Sequence, residues 1–176
     1  MKIYDVSSPL YSGMPVYPGD PEFEREEISA GDAVISRLTL STHTGTHIDA
    51  PSHYLSGASG IDEVPLTQLI CRVEVCEFPK FSGNVPAVFF KHSKDFSIDL
   101  AESLCNSGIT VVGCDSDSVG GTAVHKTLLE KNIVIIENLC LESVPDGEYS
   151  MVALPLKIIS ADAAPARVVL LDSVIE

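Results

Sequence analysis

The sequence predicts a mixed α/β fold in which a single domain spans residues 1–176. Three observations predict it. A chain of 176 residues with 45% hydrophobic and 20% charged residues has the length and composition of one globular domain. Strand-like apolar runs occur near both ends of the chain. Between them, two helix-like patterns alternate with strands, as in proteins that pack helices on a sheet.

The first fifty residues have the pattern of β-structure. Residues 3–6 alternate apolar and polar side chains, and residues 34–40 form a β-branched run, so both segments are predicted strands. The segment at residues 14–21 contains prolines at positions 15, 18 and 21, which is too many for a helix or a central strand. This segment is therefore predicted to be a loop.

The rest of the chain alternates further strands with two helices. Ser97 is the predicted N-cap of a helix over residues 98–107, which ends before Gly108, where a left-handed residue commonly terminates a helix. A second helix is predicted from Thr122 to Lys131, with Leu128 and Leu129 on its apolar face. The remaining strands are predicted at residues 72–78, 87–91, 110–112, 133–136, 151–154 and 167–171.

The charge balance limits the partners that this chain can bind. The 11 Lys and Arg residues against 25 Asp and Glu residues give a net charge of −14. Nucleic-acid-binding domains normally carry a basic stripe, which this sequence lacks, so no nucleic-acid partner is expected. An anionic membrane surface would repel the chain for the same reason. A cation is a natural ligand of such a chain.

The cysteines and the absence of targeting signals indicate the compartment. No segment of the sequence approaches the roughly 18 consecutive apolar residues of a spanning helix, and the first five residues lack the pattern of a secretory signal. An odd number of cysteines without a C-x-x-C pair argues against both a disulfide framework and a zinc ribbon. The five are Cys71, Cys76, Cys105, Cys114 and Cys140. We expect reduced cysteines and a cytoplasmic protein.

Chemically active side chains are densest between residues 43 and 53. The segment H-T-G-T-H-I-D-A-P-S-H supplies three imidazoles and one carboxylate, a ligand set that suits zinc, manganese or iron. Gly45 and Pro51 oppose a helix, so an extended segment is predicted, with residues 43, 45, 47 and 49 on one face and Gly45 leaving space between two imidazoles. A straight strand would separate His43 from Asp49 by roughly 20 Å. The chain must therefore bend at Gly45 or just after Asp49.

A second group consists of His125 and Glu137. His125 lies in the first turn of the second predicted helix, and Glu137 ends the apolar strand that follows. A helix that returns into a neighbouring strand brings its start and the end of the strand to the same edge of the layer. Both side chains can therefore face one site. Alone, Glu137 would be interpreted as a solvated charge, but beside the histidine segment it is a candidate ligand.

The histidine segment resembles the signature of the cyclase family, which includes the bacterial kynurenine formamidases. The similarity extends over nearly the whole chain, and the spacing from His125 to Glu137 also follows the family order. Further segments in family order are D-V-S at 5–7, P-G-D-P at 18–21, V-G-C-D-S at 112–116, L-P-L-K at 154–157 and D-A-A-P-A-R at 162–167. By these motifs the chain is identified as a member of this family.

The resemblance implies a swivelling α/β domain of the β/β/α type, with mixed sheets and flanking helices. It also implies two divalent ions per chain, zinc or alternatively manganese. The residues matching the family's ligands are His43, His47 and Asp49 for one ion and Asp49, His125 and Glu137 for the other, with Asp49 bridging. His53 matches the acid–base residue. Family members form homodimers or homotetramers whose N-terminal segments reach the neighbouring subunit.

The activity that the resemblance implies is hydrolysis of an amide, formamide or lactam C–N bond of a small molecule by a metal-activated water. A neutral imidazole can accept a proton from that water and return it to the leaving amine, the role expected of His53. Asp20 is a candidate substrate-binding residue near the pocket or the subunit interface. The chain has no tryptophan, and residues 89–96 are shorter than the aromatic segment of the family, so N-formylkynurenine is one candidate substrate.

Two other functions remain open from the sequence. A non-haem iron oxygenase uses an H-x-D pair with a distant histidine as its iron ligands. His47, Asp49 and His125 match that sequence pattern. That interpretation leaves His43, His53 and Glu137 without a role. The second alternative is a metal-loaded binding or scaffold protein that has kept the ligands of the family without significant turnover.

Overall fold

Most strands of the protein belong to one mixed sheet that closes on itself. The computed structural model describes residues 1–173. The strands are β1 (Ile3–Asp5), β2 (Glu24–Ala30), β3 (Ala33–Thr39), β4 (His47–Asp49), β5 (Ile70–Glu77), β6 (Ala87–Lys91), β7 (Val111–Cys114), β8 (Val134–Glu137), β9 (Gly147–Pro155) and β10 (Ala163–Leu171). The main sheet has eight strands in the order β1-β10-β4-β8-β7-β6-β5-β9, and β9 also pairs with β10, which closes it. Strands β2 and β3 form a separate hairpin.

Helices cover the parallel part of the sheet. The helical segments within the described residues are the α-helices α1 (Leu66–Leu69), α2 (Ile98–Asn106) and α3 (Thr122–Leu129) and the 3-10 turns Pro51–His53 and Ile61–Glu63. Strands β5 to β8 run parallel, with α2 connecting β6 to β7 and α3 connecting β7 to β8. The pairings of β4, β9 and β10 are antiparallel. None of the helices in residues 1–173 is long and apolar enough to cross a membrane.

The alternation of side chains along the strands builds two apolar cores. Phe89 in β6 belongs to the core formed by the inner face of the closed sheet. The next residue, Phe90, points the other way and packs in the core beneath α2 and α3, with Leu104 and Leu128. Gly113 in β7 permits close packing, because a Cβ atom there would lie 2.4 Å from the Phe89 ring. Each fully buried aromatic or leucine side chain contributes about 1.5–3 kcal/mol to the folded state.

The predicted α/β fold class is confirmed, and so are the two helices. The Ser97 hydroxyl accepts a 3.1 Å hydrogen bond from the Leu100 N–H at the start of α2. Gly108 follows α2 with a φ of +80°, the left-handed conformation expected there. Helix α3 begins at Thr122 as predicted and ends at Leu129, short of Lys131. All the predicted strands are present, although β9 and β10 each begin earlier than the sequence indicated.

Strand β2 was not among the predicted strands. Its sequence, Glu-Arg-Glu-Glu-Ile-Ser-Ala, has four charged residues in succession and no apolar alternation. The hairpin that it forms with β3 is exposed on both faces, so neither strand needs an apolar side. Alternation of apolar and polar residues predicts strands that bury one face. It cannot predict a strand such as β2, which buries neither face within its own chain.

The extended conformation predicted from residue 43 to residue 49 is correct only for its second half. Strand β4 begins at His47, and the residues before it form turns. Gly45 has a φ of +64°, so the chain does bend at this glycine. Its role in spacing two imidazoles was wrong, because a Cβ atom there would meet Leu10 Cδ2 at 2.5 Å and Met14 Cε at 3.6 Å. The glycine makes room for the N-terminal loop.

Candidate metal centre

Three neighbouring elements bring the predicted ligands to one place. In the antiparallel register of β4 and β8, His47 lies opposite Glu137. Asp49 lies two residues further along β4, on the same face as His47. His125 comes from the first turn of α3, immediately before β8. The predicted convergence of His125 and Glu137 on the histidine segment therefore occurs, through the α3–β8 connection.

Asp49 is at the centre of the arrangement, and its carboxylate is fully buried. Its Oδ1 lies 3.1 Å from His43 Nδ1 and 3.4 Å from His47 Nε2. Its Oδ2 lies 3.6 Å from His125 Nε2. Glu137 Oε1 lies 3.3 Å from His125 Nε2, and its Oε2 lies 3.4 Å from His47 Nε2. The two oxygens of Asp49 therefore face different histidines: Oδ1 faces His43 and His47, and Oδ2 faces His125.

Several polar atoms of the centre lack hydrogen-bond partners among the described residues. Both carboxylate oxygens of Asp49 and Nε2 of His47 are buried without a hydrogen bond to any described residue, although charged or polar side chains lie 3.1–3.6 Å away. Burying polar and charged groups without such partners costs several kcal/mol unless a cation or a proton compensates. Imidazole nitrogens and carboxylate oxygens are ligands of zinc and manganese. The residues present therefore fit a divalent cation.

Three sets of side chains in the described part of the chain have ligand atoms within 4.8 Å of one another. They are His43–His47–Asp49, Asp49–His53–His125 and His43–His53–Asp162. The first set is the one predicted for one ion. The other two include His53, which the sequence analysis assigned to proton transfer. Glu137 belongs to none of the three sets, although its carboxylate contacts two of the histidines.

Backbone carbonyls orient two of the imidazoles. His47 Nδ1 lies 2.8 Å from the carbonyl oxygen of Gly45, and His125 Nδ1 lies 3.3 Å from that of Gly121. A carbonyl oxygen only accepts, so each Nδ1 carries the proton that it donates. The Nε2 atoms of both rings are thereby directed at the Asp49 and Glu137 carboxylates, the orientation found for metal-binding histidines.

Burial and mutual proximity set the charges in the centre. Burial alone would lower the pKa of His47, but the carboxylates of Asp49 and Glu137 beside it raise that pKa to about 10. Burial would raise the pKa of Asp49, whereas the neighbouring imidazoles of His43 and His47 hold it below its usual value. The pKa of Glu137 is lowered against the effect of burial by His125 and His47. Both carboxylates are therefore anions that attract a cation.

His53 lies at the edge of this group rather than within it. It ends the 3-10 turn Pro51–His53, where its N–H donates a 3.0 Å hydrogen bond to the Ala50 carbonyl. Its ring centroid lies 4.3 Å from that of His43 and 4.4 Å from that of Tyr54. Burial lowers the pKa of His53, which keeps the imidazole neutral at pH 7. A neutral imidazole can accept a proton.

A cavity of about 550 Å³ gives access to the centre. Its lining includes His43, His47, His53, His125 and Glu137. Tyr11, Tyr17 and Tyr54 line it as well, and these aromatic residues were not identified from the sequence. Asp20 also lines the cavity, and its Oδ2 accepts a 3.0 Å hydrogen bond from the Ser41 hydroxyl. A role of Asp20 in binding substrate stays a prediction.

Asp162 is the principal site residue that sequence reasoning missed. Its carboxylate lies 2.9 Å from His43 Nε2 and 3.5 Å from His53 Nδ1. It immediately precedes β10, which pairs with β4, so Ala163 lies opposite Asp49. The signal available in the sequence was the family segment D-A-A-P-A-R, which begins at this residue. No local spacing could reveal the contact between His43 and Asp162, because these residues are 119 positions apart in the sequence.

The fold and the centre define an α/β protein with a candidate site for divalent metals at the base of a cavity. Residues 4–89 match the model of the family described as "Putative cyclase". The chain is 35% identical to a kynurenine formamidase of Polaromonas naphthalenivorans, over 97% of this chain and 91% of that protein. It therefore belongs to the cyclase family, which confirms the resemblance seen in the sequence.

Solved structures agree with this assignment. A protein described as a potential metal-dependent hydrolase with cyclase activity is 34% identical, with a TM-score of 0.83 over 99% of each chain. A predicted metal-dependent hydrolase from Bacillus stearothermophilus is 35% identical, with a TM-score of 0.79 over 96% of this chain and 97% of that one. The closed sheet with few helices is thus the fold of these relatives.

Proposed function

We propose that this protein is a metal-dependent hydrolase that cleaves the C–N bond of an amide, formamide or lactam. The observation that carries the proposal is the Asp49 carboxylate, which is fully buried, forms no hydrogen bond within residues 1–173 and faces histidines from both of its oxygens. The similarity to a kynurenine formamidase supports a formamide substrate, with N-formylkynurenine as the first candidate. The three tyrosines of the cavity wall favour a substrate with an aromatic ring.

Two divalent ions, zinc or alternatively manganese, fit the donors present. His43, His47 and Asp49 would hold one ion, and Asp49, His125 and Glu137 would hold the other. When bound, such ions lower the pKa of a water molecule and polarise the carbonyl of the substrate. The carbonyls of Gly45 and Gly121 keep the rings of His47 and His125 in the ligand orientation.

His53 is the proposed proton carrier. Its neutral imidazole accepts a proton from the water that adds to the carbonyl carbon of the substrate. The protonated ring then donates that proton to the amine nitrogen as the C–N bond breaks, so a formamide gives formate and a free amine. The position of His53 at the cavity and beside His43 supports this role.

We also propose that the protein is a homodimer or homotetramer in the cytoplasm. The β2–β3 hairpin exposes Val34 (63%), Ile35 (52%) and Leu38 (52%), although an isolated two-stranded hairpin is marginally stable in water. Packing of these side chains against a second copy would stabilise it. Analytical ultracentrifugation of the wild type and of a Val34→Ser, Leu38→Ser variant tests the assembly. We expect the variant to dissociate at concentrations where the wild type stays associated.

The first experiment combines metal analysis with a hydrolysis screen. Protein purified without a histidine tag is loaded with zinc or manganese, and its metal content is measured by plasma mass spectrometry. N-formylkynurenine, formanilide, oxindole and succinimide are then assayed with and without a chelator. We expect about two ions per chain and chelator-sensitive hydrolysis of a formamide. Two ions without turnover would favour a metal-loaded scaffold, and no bound metal would contradict the proposal.

A further inference from the structure

Asp162 is held in place by groups that do not belong to the proposed ligand set. Its Oδ1 accepts a 3.1 Å hydrogen bond from the Thr42 hydroxyl, and its backbone carbonyl accepts a 2.8 Å hydrogen bond from the Ala50 N–H. These contacts fix it next to both β4 and the turn that carries His53. Its other carboxylate oxygen, Oδ2, is then free to face the imidazoles of His43 and His53.

His43 faces the centre with the opposite ring nitrogen from the other two predicted histidine ligands. His47 and His125 present Nε2 to the carboxylates, whereas His43 presents Nδ1 to Asp49 Oδ1 at 3.1 Å. A neutral imidazole has one protonated and one lone-pair nitrogen. For Nδ1 of His43 to be a ligand, its Nε2 must carry the proton and needs an acceptor. Asp162 Oδ2, 2.9 Å away, is that acceptor.

The same oxygen also limits the orientation of His53. It lies 3.5 Å from His53 Nδ1, and the ring of His53 is tilted against that of His43 with centroids 4.3 Å apart. A carboxylate at this position favours a proton on Nδ1 of His53. The lone pair is then on Nε2, which becomes the atom that can accept a proton during hydrolysis.

We infer that Asp162 is a positioning residue that fixes the protonated nitrogens of both His43 and His53. It holds His43 with its proton on Nε2, so that Nδ1 is a ligand, and it holds His53 with its proton on Nδ1. One carboxylate thus couples the first metal position to the proton carrier. This inference rests on the proposed function for the roles of the two histidines, but the assignment of the ring protons does not depend on turnover.

The test compares Asp162→Ala and Asp162→Asn with the wild type, each loaded with zinc. Long-range proton–nitrogen NMR spectra report which nitrogen of each ring is protonated, and the chain has only five histidines to assign. Zinc affinity is measured by competition with a chromogenic chelator. Asp95→Asn is the matched control, because Asp95 is an exposed aspartate that does not line the cavity. Thermal unfolding of every variant is followed in parallel.

We expect the wild type to show His43 protonated on Nε2 and His53 protonated on Nδ1. In Asp162→Ala, His53 should become a mixture of both tautomers, and zinc affinity should fall by about 10–100-fold, as for other residues that orient metal ligands. Asp162→Asn retains an accepting oxygen and should recover part of both effects. Asp95→Asn should match the wild type in both measurements.

Unchanged histidine spectra and zinc affinity in Asp162→Ala would overturn the inference, even if the variant unfolded at a lower temperature. A wild-type spectrum with His53 protonated on Nε2 would overturn it as well. Failure of the proposed function has a different signature. In that case no probe is hydrolysed, while the ring protons and their response to Asp162→Ala remain as described.

Discussion

The floor and the rim of the site are held together in different ways. The floor consists of His47, Asp49, His125 and Glu137, and the rim consists of His43, His53 and Asp162. Side chains of the floor are at most 5% exposed, whereas those of the rim are 17–43% exposed. Floor histidines are oriented by backbone carbonyls, and the rim is oriented by contacts between side chains.

Because of this difference, we expect the floor to determine whether the metal is bound and the rim to determine proton transfer and metal affinity. A backbone carbonyl cannot be removed by substitution, so the orientation of the floor is fixed by the fold itself. The orientation of the rim depends on individual side chains. We expect that each of them can be substituted without disturbing β4 or α3. We therefore expect substitutions in the floor to remove the metal, and substitutions in the rim to change proton transfer or affinity while the protein stays folded.

The largest effect is expected from Asp49→Asn in the floor. The variant loses the anionic oxygens that both proposed ion positions share. Metal content should fall from about two ions per chain to well below one. Hydrolysis should fall on the order of 10³-fold, because a metal ion contributes several kcal/mol of transition-state stabilisation. Plasma mass spectrometry and initial rates measure the two quantities.

The control for this variant is Asp95→Asn, which makes the same chemical change at an exposed position away from the cavity. It should keep the metal content and the rate of the wild type. An Asp49→Asn protein that retained two ions per chain would contradict the assignment of Asp49 as the shared ligand.

The next largest effect is expected from His53→Ala in the rim. Hydrolysis should fall by about 10²–10³-fold, which is typical for removal of a general acid–base residue. Metal content should remain that of the wild type, because the floor and His43 are unchanged. Metal content and rate are measured on the same preparation. Loss of metal would instead identify His53 as a ligand, in line with its proximity to Asp49 and His125.

Metal removal should lower the stability of the wild type. An ion at about 100 times its dissociation constant stabilises the folded state by about 2.7 kcal/mol. For a chain of this length, each kcal/mol changes the melting temperature by about 2–4 °C. Calorimetry with and without a chelator should therefore differ by about 5–10 °C. Asp49→Asn should show almost no difference, and an equal chelator effect in that variant would mean that the stabilising metal binds elsewhere.

The smallest effect is expected from Gly45→Ala, at the bend before β4. An alanine with a φ of +64° costs about 1–2 kcal/mol. The added Cβ would also displace Leu10 Cδ2, which is the end of a flexible side chain and can move at little cost. Chemical denaturation should show the loss, and Leu10→Ala in the same protein should recover only a small part of it. Unchanged stability of Gly45→Ala would show that the left-handed turn is not needed.

The sequence predicted most of the floor because local rules apply to it. His47 and Asp49 are two residues apart on a strand, and the helix-to-strand connection brings His125 to the end of β8. The rim was only partly predicted. The contact between His43 and Asp162 spans 119 residues and depends on the pairing of β10 with β4, which no local pattern encodes.

Two features of the fold were not predicted correctly from the sequence, for related reasons. Gly45 was assigned a role toward the imidazoles because they are its neighbours in sequence, whereas its nearest neighbours in space come from residues 8–14. Strand β2 carries charged side chains in succession and buries neither face, so its pairing with β3 left no alternation to detect. Local patterns predict what an element buries in its own chain, and they say little about partners far along the sequence.

The most direct test of the central claim is a crystal structure of the zinc-loaded protein with an anomalous difference map at the zinc absorption edge. Two peaks are predicted per chain, one beside Oδ1 and the other beside Oδ2 of Asp49, with His43 and His47 near the first and His125 near the second. His53 and Asp162 should contact neither peak. A single peak among His43, His53 and Asp162, or no peak at Asp49, would contradict the account.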